Sequence, residues 1–85
     1  MELKELFAQA AIDSKNLPKK PGNDTLLQLY ALYKQSTEGD IIAEPSSNTF
    51  DFVAKAKYAA WQQIKGKLRE TAMQEYVALV AKLKG

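Results

Sequence analysis

Apolar residues recur along this chain at spacings of three and four, the mark of helices that bury one face. Over residues 2–14, Leu3, Leu6, Phe7, Ala10 and Ser14 fall on one side of a wheel turning about 100° per residue. Asn16, Pro18, Pro21 and Gly22 break that pattern, so residues 15–22 form a loop. A second helix runs to about residue 37, with Asn23 or Asp24 placed to cap it by accepting a bond from a free backbone N–H. Gly39 ends it as a left-handed residue. Residues 40–49 make a longer loop containing Pro45, Ser46, Ser47 and Asn48. A third helix starts within 50–53 and runs to 64 or 65, where Gly66 stops it. A fourth runs from about 68 to 82, with Lys82 and Lys84 suited to the negative end of its dipole. No segment alternates with the period of two that a half-buried strand needs, and there is no internal repeat. The expected fold is all-α: a four-helix bundle with a long loop between the second and third helices.

Two lysines sit where apolar residues are expected. With Val53 at zero on the third helix, Ala60, Ile64 and Trp61 cluster at about 340°, 20° and 80°, and Lys57 falls among them at about 40°. Lys55 falls on the polar side, at about 200°. An ammonium in an apolar stripe must reach water, a counter-charge or a ligand. Snorkelling at the rim and neutralisation by a bound anion are both open. On the second helix the apolar arc is too wide for one seam. It divides into an aliphatic side, Leu29 and Leu32, and a mixed side, Leu27, Tyr30 and Lys34, with Tyr33 between. Tyr30, Tyr33 and Lys34, at i, i+3 and i+4, share a ridge. Phenol rings offer a stacking surface for a base, and hydroxyls and ammonium groups donate to phosphate oxygens. Core packing with the hydroxyls at the edge is the alternative for the tyrosines. Tyr76 is centred in the stripe of the fourth helix, with Met73, Val77, Val80 and Leu83, and on that ground reads as core.

Composition removes most chemistry. The 85 residues are 46% hydrophobic and 26% charged, which fits one folded domain over residues 1–85 and not a disordered segment. Without cysteine there is no disulfide and no thiolate metal site. Without histidine the usual general base at neutral pH and most zinc or copper sites are missing. Ser46 and Ser47 therefore have no histidine to activate them. Asp40 and Glu44 lack calcium-loop spacing, Glu70 and Glu75 are too far around the wheel to pair, and no glycine-rich phosphate loop occurs. No catalytic residue, metal or cofactor is expected. A net charge of +2 is too mild to announce a nucleic-acid binder, although Lys15, Lys19 and Lys20 make a local basic patch. No apolar run is long enough to span a membrane. The first residues, with Glu2 and Glu5, do not resemble a signal peptide. A cytoplasmic monomer with no nucleic-acid partner and no membrane insertion is expected.

Residues 29–41, LYALYKQSTEGDI, closely resemble the signature Y-x-x-Y-K-Q-[AS]-T-x-G-D of the acyl-CoA-binding protein family. Residues 50–61 resemble the family's second block, with its K-x-K-x-x-A-W core from Lys55 to Trp61. Phe7, the stretch 17–21, Lys65 with Gly66, Ala72 with Met73, and Tyr76 extend the likeness over essentially the whole chain. The resemblance implies a four-helix bundle that binds fatty acyl-CoA thioesters without catalysis, as an acyl-CoA carrier and buffer in fatty acid metabolism. On matching positions, Tyr30, Tyr33 and Lys34 would contact the adenine, ribose and phosphate portion. Lys57 would neutralise a phosphate, the 3′-phosphate of the ribose. Tyr76 would add a ring or hydroxyl contact, Lys15 a basic one assisted by Lys20, and Pro21, Leu26 and Leu27 would line the acyl chain's path.

The sequence departs from the family pattern in several places. The stretch 44–49 differs from the usual R-P-G, Val53 stands where lysine is frequent and Tyr58 where tryptophan is frequent, and no Ser or Thr caps the last helix. These differences bear on affinity and chain-length preference more than on ligand class. A helical protein-interaction module without a small-molecule ligand is the alternative reading, using the wide apolar arc of the second helix.

Overall fold

Four stretches of amphipathic sequence form the four helices of the computed structural model, which describes residues 2–41 and 52–85. They are α1 (Leu3–Ser14), α2 (Asn23–Thr37), α3 (Phe52–Gln63) and α4 (Arg69–Lys84), and no strand occurs among the described residues. The expected loop at 42–49 lies outside them, as does the start of the third helix before Phe52.

The helices pair as α1 with α4, α2 with α4 and α2 with α3. The main core joins Phe7 and Ala10 of α1, Leu29 and Leu32 of α2, and Ala72, Tyr76 and Val80 of α4. All but Ala72, which the reading of the α4 stripe did not include, are apolar positions that the wheels place on one side of each helix. A smaller core, Ala31, Ile41 and Trp61 with Ala60 and Ile64 packed against it, seats α3 on α2. The division of the α2 arc into two sides therefore has a physical cause: α2 is the central helix and packs on α4 with one side and on α3 with the other.

A buried polar network ties α2 to the turn after α3. Gln35 is only 1% exposed. Its amide nitrogen donates to Asp40 Oδ1 at 2.8 Å and to the Lys67 carbonyl at 2.7 Å. The Trp61 indole N–H donates to Gln35 Oε1 at 3.1 Å and to the Gly39 carbonyl at 3.0 Å. Gly66 N–H donates to Asp40 Oδ1 at 2.7 Å. Among the described residues no buried side-chain nitrogen or oxygen lacks a partner, so the network carries no unsatisfied-group penalty. Gly39 has the expected left-handed conformation, φ 83°. Its missing Cβ also makes room, because the Arg69 guanidinium lies 3.2 Å from where one would stand. Arg69 Nη2 donates to the Glu38 carbonyl at 3.2 Å, so the first residue of α4 satisfies an end carbonyl of α2.

Three expectations are corrected. Neither Asn23 nor Asp24 caps α2; Gly22 occupies that position and makes no side-chain bond. The helix forms without the cap because its packing on both neighbours supplies the stability. α4 extends to Lys84, beyond 82, where Lys84 reaches Asp13 of α1 at 3.0 Å. Val53, the centre of the α3 wheel, is 62% exposed and its neighbour Phe52 78%. Only the later part of α3, with Tyr58, Ala60 and Trp61, and Ile64 just after it, meet the core.

Candidate functional site

α2 and α3 bring two ammonium groups to one ring. Lys34, one turn after Tyr30 on α2, places Nζ 5.9 Å from the centre of the Tyr30 ring. Lys57 of α3 places Nζ 5.4 Å from the same centre. Lys34 Nζ also lies 5.9 Å from the Trp61 ring, which the Gln35 network holds in place. Two like charges over one phenol repel, and the ring's negative face offsets only part of that, about 0.5–1 kcal/mol per contact at exposed sites. Among the described residues no carboxylate pairs with Lys57. Lys57 is exposed, so its stem does not lie in a buried stripe as the wheel implies; the ammonium stands at a solvent-facing site shared with Lys34.

Lys34 does have a partner. Its Nζ meets Glu38 Oε2 at 2.7 Å. The hydrogen bond that Lys34 donates to Glu38 is the main reason the Lys34 pKa is held above its usual value, with burial working against it. The pair runs Lys to Glu along the helix, the less favourable order relative to the dipole. An exposed i, i+4 pair is worth only about 0.3–0.5 kcal/mol, so an incoming anion can displace it.

Tyr33 belongs to a second cluster. It is 41% exposed and stacks on Phe7 of α1, with centroids 5.6 Å apart and an interplanar angle of 23°. Tyr76 of α4 lies behind both rings, at 5.1 Å from Phe7 and 6.0 Å from Tyr33. Its hydroxyl donates to Ser14 Oγ at 3.1 Å, and the Ser14 hydroxyl donates to the Ala11 carbonyl at 2.8 Å. Burial pushes the Tyr76 phenol pKa up, with the bond to Ser14 opposing. Tyr76 is thus mainly a support for the open face of Tyr33. The ridge expected from Tyr30, Tyr33 and Lys34 is split: Tyr30 and Lys34 face α3, while Tyr33 faces α1 and α4.

The remaining candidates sit at the periphery. Lys15 follows Ser14 at the end of α1 and is exposed, as are Lys19 and Lys20. Pro21 and Leu27 are half-buried and Leu26 is 37% exposed. Leu27 also lines a groove of about 780 Å³ between α2, α3 and α4, whose lining includes neither Tyr30 nor Lys34 nor Lys57. Glu38 as counter-ion of Lys34, and Phe7 as stacking partner of Tyr33, are the site features the wheels did not supply. The Lys34–Glu38 spacing of four was a readable signal for the first. The second depends on how α1 crosses α2. No group of three or more acidic side chains able to hold a metal ion occurs among the described residues, and no described helix is long and apolar enough to cross a membrane.

The model of the family described as Acyl CoA binding protein matches residues 4–80. An acyl-CoA-binding protein of Dictyostelium discoideum is 50% identical over 78 residues, covering 91% of this chain and 90% of that protein. Enoyl-CoA delta isomerase 2 of Rattus norvegicus is 49% identical over 77 residues, 91% of this chain but 19% of the enzyme. The crystal structure of Oryza sativa acyl-CoA-binding protein 2 superposes with a TM-score of 0.88 at 36% identity, covering 96% of this chain and 90% of that one. With the family signature spanning nearly all of its length and its four helices arranged as in the rice structure, this chain belongs to the acyl-CoA-binding protein family.

Proposed function

We propose that this chain, acting as one domain, binds fatty acyl-CoA thioesters of medium to long chain without catalysis, and serves as a monomeric carrier and buffer of them in the cytoplasm. The observation that carries this reading is the convergence of Lys34 and Lys57 over Tyr30, with no carboxylate on Lys57 among the described residues. A phosphate placed between the two ammonium groups relieves their repulsion and accepts charge-assisted hydrogen bonds from both. Tyr30 and the open face of Tyr33 provide rings for the adenine. Lys15 adds positive potential at the end of α1. The acyl chain leaves the head past Leu27, with Pro21 and Leu26 beside its path.

In this scheme the head gives selectivity and the tail gives affinity. Removing each CH₂ from water is worth about 0.8 kcal/mol, reduced by the cost of ordering the chain. The cations discriminate a CoA ester from a free fatty acid. The same residues hold phosphates and stack on a base; they supply no group placed to take a proton from the ligand, so the isomerase activity named for the rat relative belongs to that protein. No nucleic acid, metal or cofactor enters the scheme.

Titration calorimetry with palmitoyl-CoA, CoA and palmitate tests it. Palmitoyl-CoA is expected to bind most tightly and CoA more weakly, because it lacks the buried chain. Free palmitate binding as well as palmitoyl-CoA would refute the role of the cations.

A further inference from the structure

Contacts between the helices gather one end of each at the same end of the bundle. α4 passes Ser14 at Tyr76 and runs on to Lys84, which reaches back to Asp13 of α1. The loop 15–22 joins that end of α1 to the start of α2. α3 runs beside α2 in the same direction, since Lys57 stands over Tyr30 and Trp61 bonds to Gln35. The first turn of α3 therefore lies at the start of α2. At the opposite end Glu2, Lys4, Thr37 and Arg69 line one cleft, and Gly66 bonds to Asp40.

Charge divides unevenly between these ends, which the net charge of +2 conceals. At the first, Lys15, Lys19, Lys20, Lys55 and Lys82 are exposed, and among the described residues no carboxylate pairs with any of them. The described acids there are Asp13, taken by Lys84, and Asp24. Toward the other end carboxylates balance cations, as Glu38 does Lys34 and Glu75 does Lys67. The basic end also carries uncovered apolar side chains. Phe52 and Val53, in the first turn of α3, are 78% and 62% exposed. Lys55 holds its ammonium 6.0 Å from the centre of the Phe52 ring. A ring beside a lysine suits a lipid surface: the ring enters the boundary between headgroups and acyl chains while the ammonium stays among the headgroups. A nucleic acid calls for the planar, forked contacts of arginine, and the chain's one arginine, Arg69, is at the other end.

We propose that this basic end docks reversibly on an anionic lipid bilayer, with Phe52 and Val53 in the interface and the lysines around them on the headgroups. No described helix is long and apolar enough to cross a membrane, so the contact is with its surface. Each lysine brought close to such a surface raises the partition by up to about fivefold, an effect that fades within a Debye length of about 8–10 Å. Docking does not require the acyl-CoA site, and it sets that site, through Lys57, beside the lipid.

The test is flotation of the protein with vesicles, one set of phosphatidylcholine alone and one equimolar in phosphatidylcholine and phosphatidylserine. The wild type should float with the second set and not the first, and should leave the vesicles as salt rises. Lys19→Gln/Lys55→Gln should weaken the partition at least about fivefold. Lys4→Gln/Lys65→Gln removes the same charge from the opposite end and should weaken it by less than about twofold. Phe52→Ser should weaken it at least about threefold. Equal losses in the two double variants, or Phe52→Ser floating like the wild type, would overturn the docking of this end. Wild type that floats with neither set overturns it outright and makes an acidic protein face the partner. All five substituted side chains are exposed. Should a variant still fail to fold, spin-labelled lipid in bicelles decides on the wild type: amide signals near Lys19 and Phe52 should broaden before those near Lys4 and Lys65, and the reverse order refutes the proposal.

Discussion

Replacing Lys57 with alanine separates a ligand role from a structural one, because the two predict opposite outcomes. Among the described residues the Lys57 ammonium approaches one group, the Tyr30 ring, whose centre is 5.4 Å away. A cation–π contact at an exposed site is worth about 0.5–1 kcal/mol. Against that stands repulsion by Lys34, whose ammonium is 5.9 Å from the same ring. The two nearly offset, so Lys57→Ala should change stability by less than about 1 kcal/mol, or about 4–8 °C in Tm for a chain of this size. In the complex the balance differs. A hydrogen bond from an ammonium to a phosphate is worth about 1.5–3 kcal/mol, so affinity for palmitoyl-CoA should drop about 10- to 150-fold. Calorimetry gives the affinity and thermal unfolding the stability. Lys57→Met, which keeps most of the stem without the charge, should match the alanine variant in affinity. The gap to wild type should narrow as salt rises, since salt screens an exposed ammonium. A variant with unchanged affinity and a Tm lowered by more than 8 °C would refute the reasoning and make Lys57 a structural residue.

Three further outcomes follow from the geometry. Glu38→Ala frees the Lys34 ammonium from its 2.7 Å partner and should tighten palmitoyl-CoA binding about twofold, the scale of an exposed helix ion pair; weaker binding in the same titration would mean that Glu38 helps the ligand. Gln35→Ala takes one acceptor from Trp61 and the donor from Asp40 and the Lys67 carbonyl, which should cost about 2–3 kcal/mol in urea unfolding and shift the emission of Trp61, the chain's one tryptophan. Asp40 accepts from Gln35 and from the Gly66 N–H, with Lys65 nearby, and these hold its pKa below the ordinary 3.8 while burial opposes them. A carboxylate depressed in the folded state contributes stability that is complete above its unfolded pKa and lost as pH falls through the folded one. Asp40→Asn should therefore flatten the fall of Tm below about pH 4, although Asp13, depressed by Gln9 and Lys84, keeps part of that fall. An acid limb identical to wild type would dissociate Asp40 from the network.

Periodicity alone located all four helices, because each buries a stripe with the spacing of its own turn, as Phe7 and Ala10 do on α1 and Tyr76 and Val80 on α4. Gly39 likewise marked the end of α2, since few residues other than glycine adopt its positive φ. The site residues were legible as types and spacings: Tyr30, Lys34 and Lys57 are unusual on their faces, and a lysine on an apolar side needs an explanation. Which of them meet was not legible. Tyr30 and Tyr33 are three apart on one helix, yet one turns to α3 and the other to Phe7 and Tyr76, because α2 is packed by different helices on its two sides. A wheel reports angles about one axis and is silent on what stands opposite. For the same reason it centred the α3 stripe on Val53, which tertiary structure leaves in solvent, and passed over Gln35, whose burial follows from Trp61, Asp40 and the Lys67 carbonyl arriving from distant parts of the chain. Local spacing sets what each helix can bury; only the crossing of the helices decides what each buried or charged group finds there.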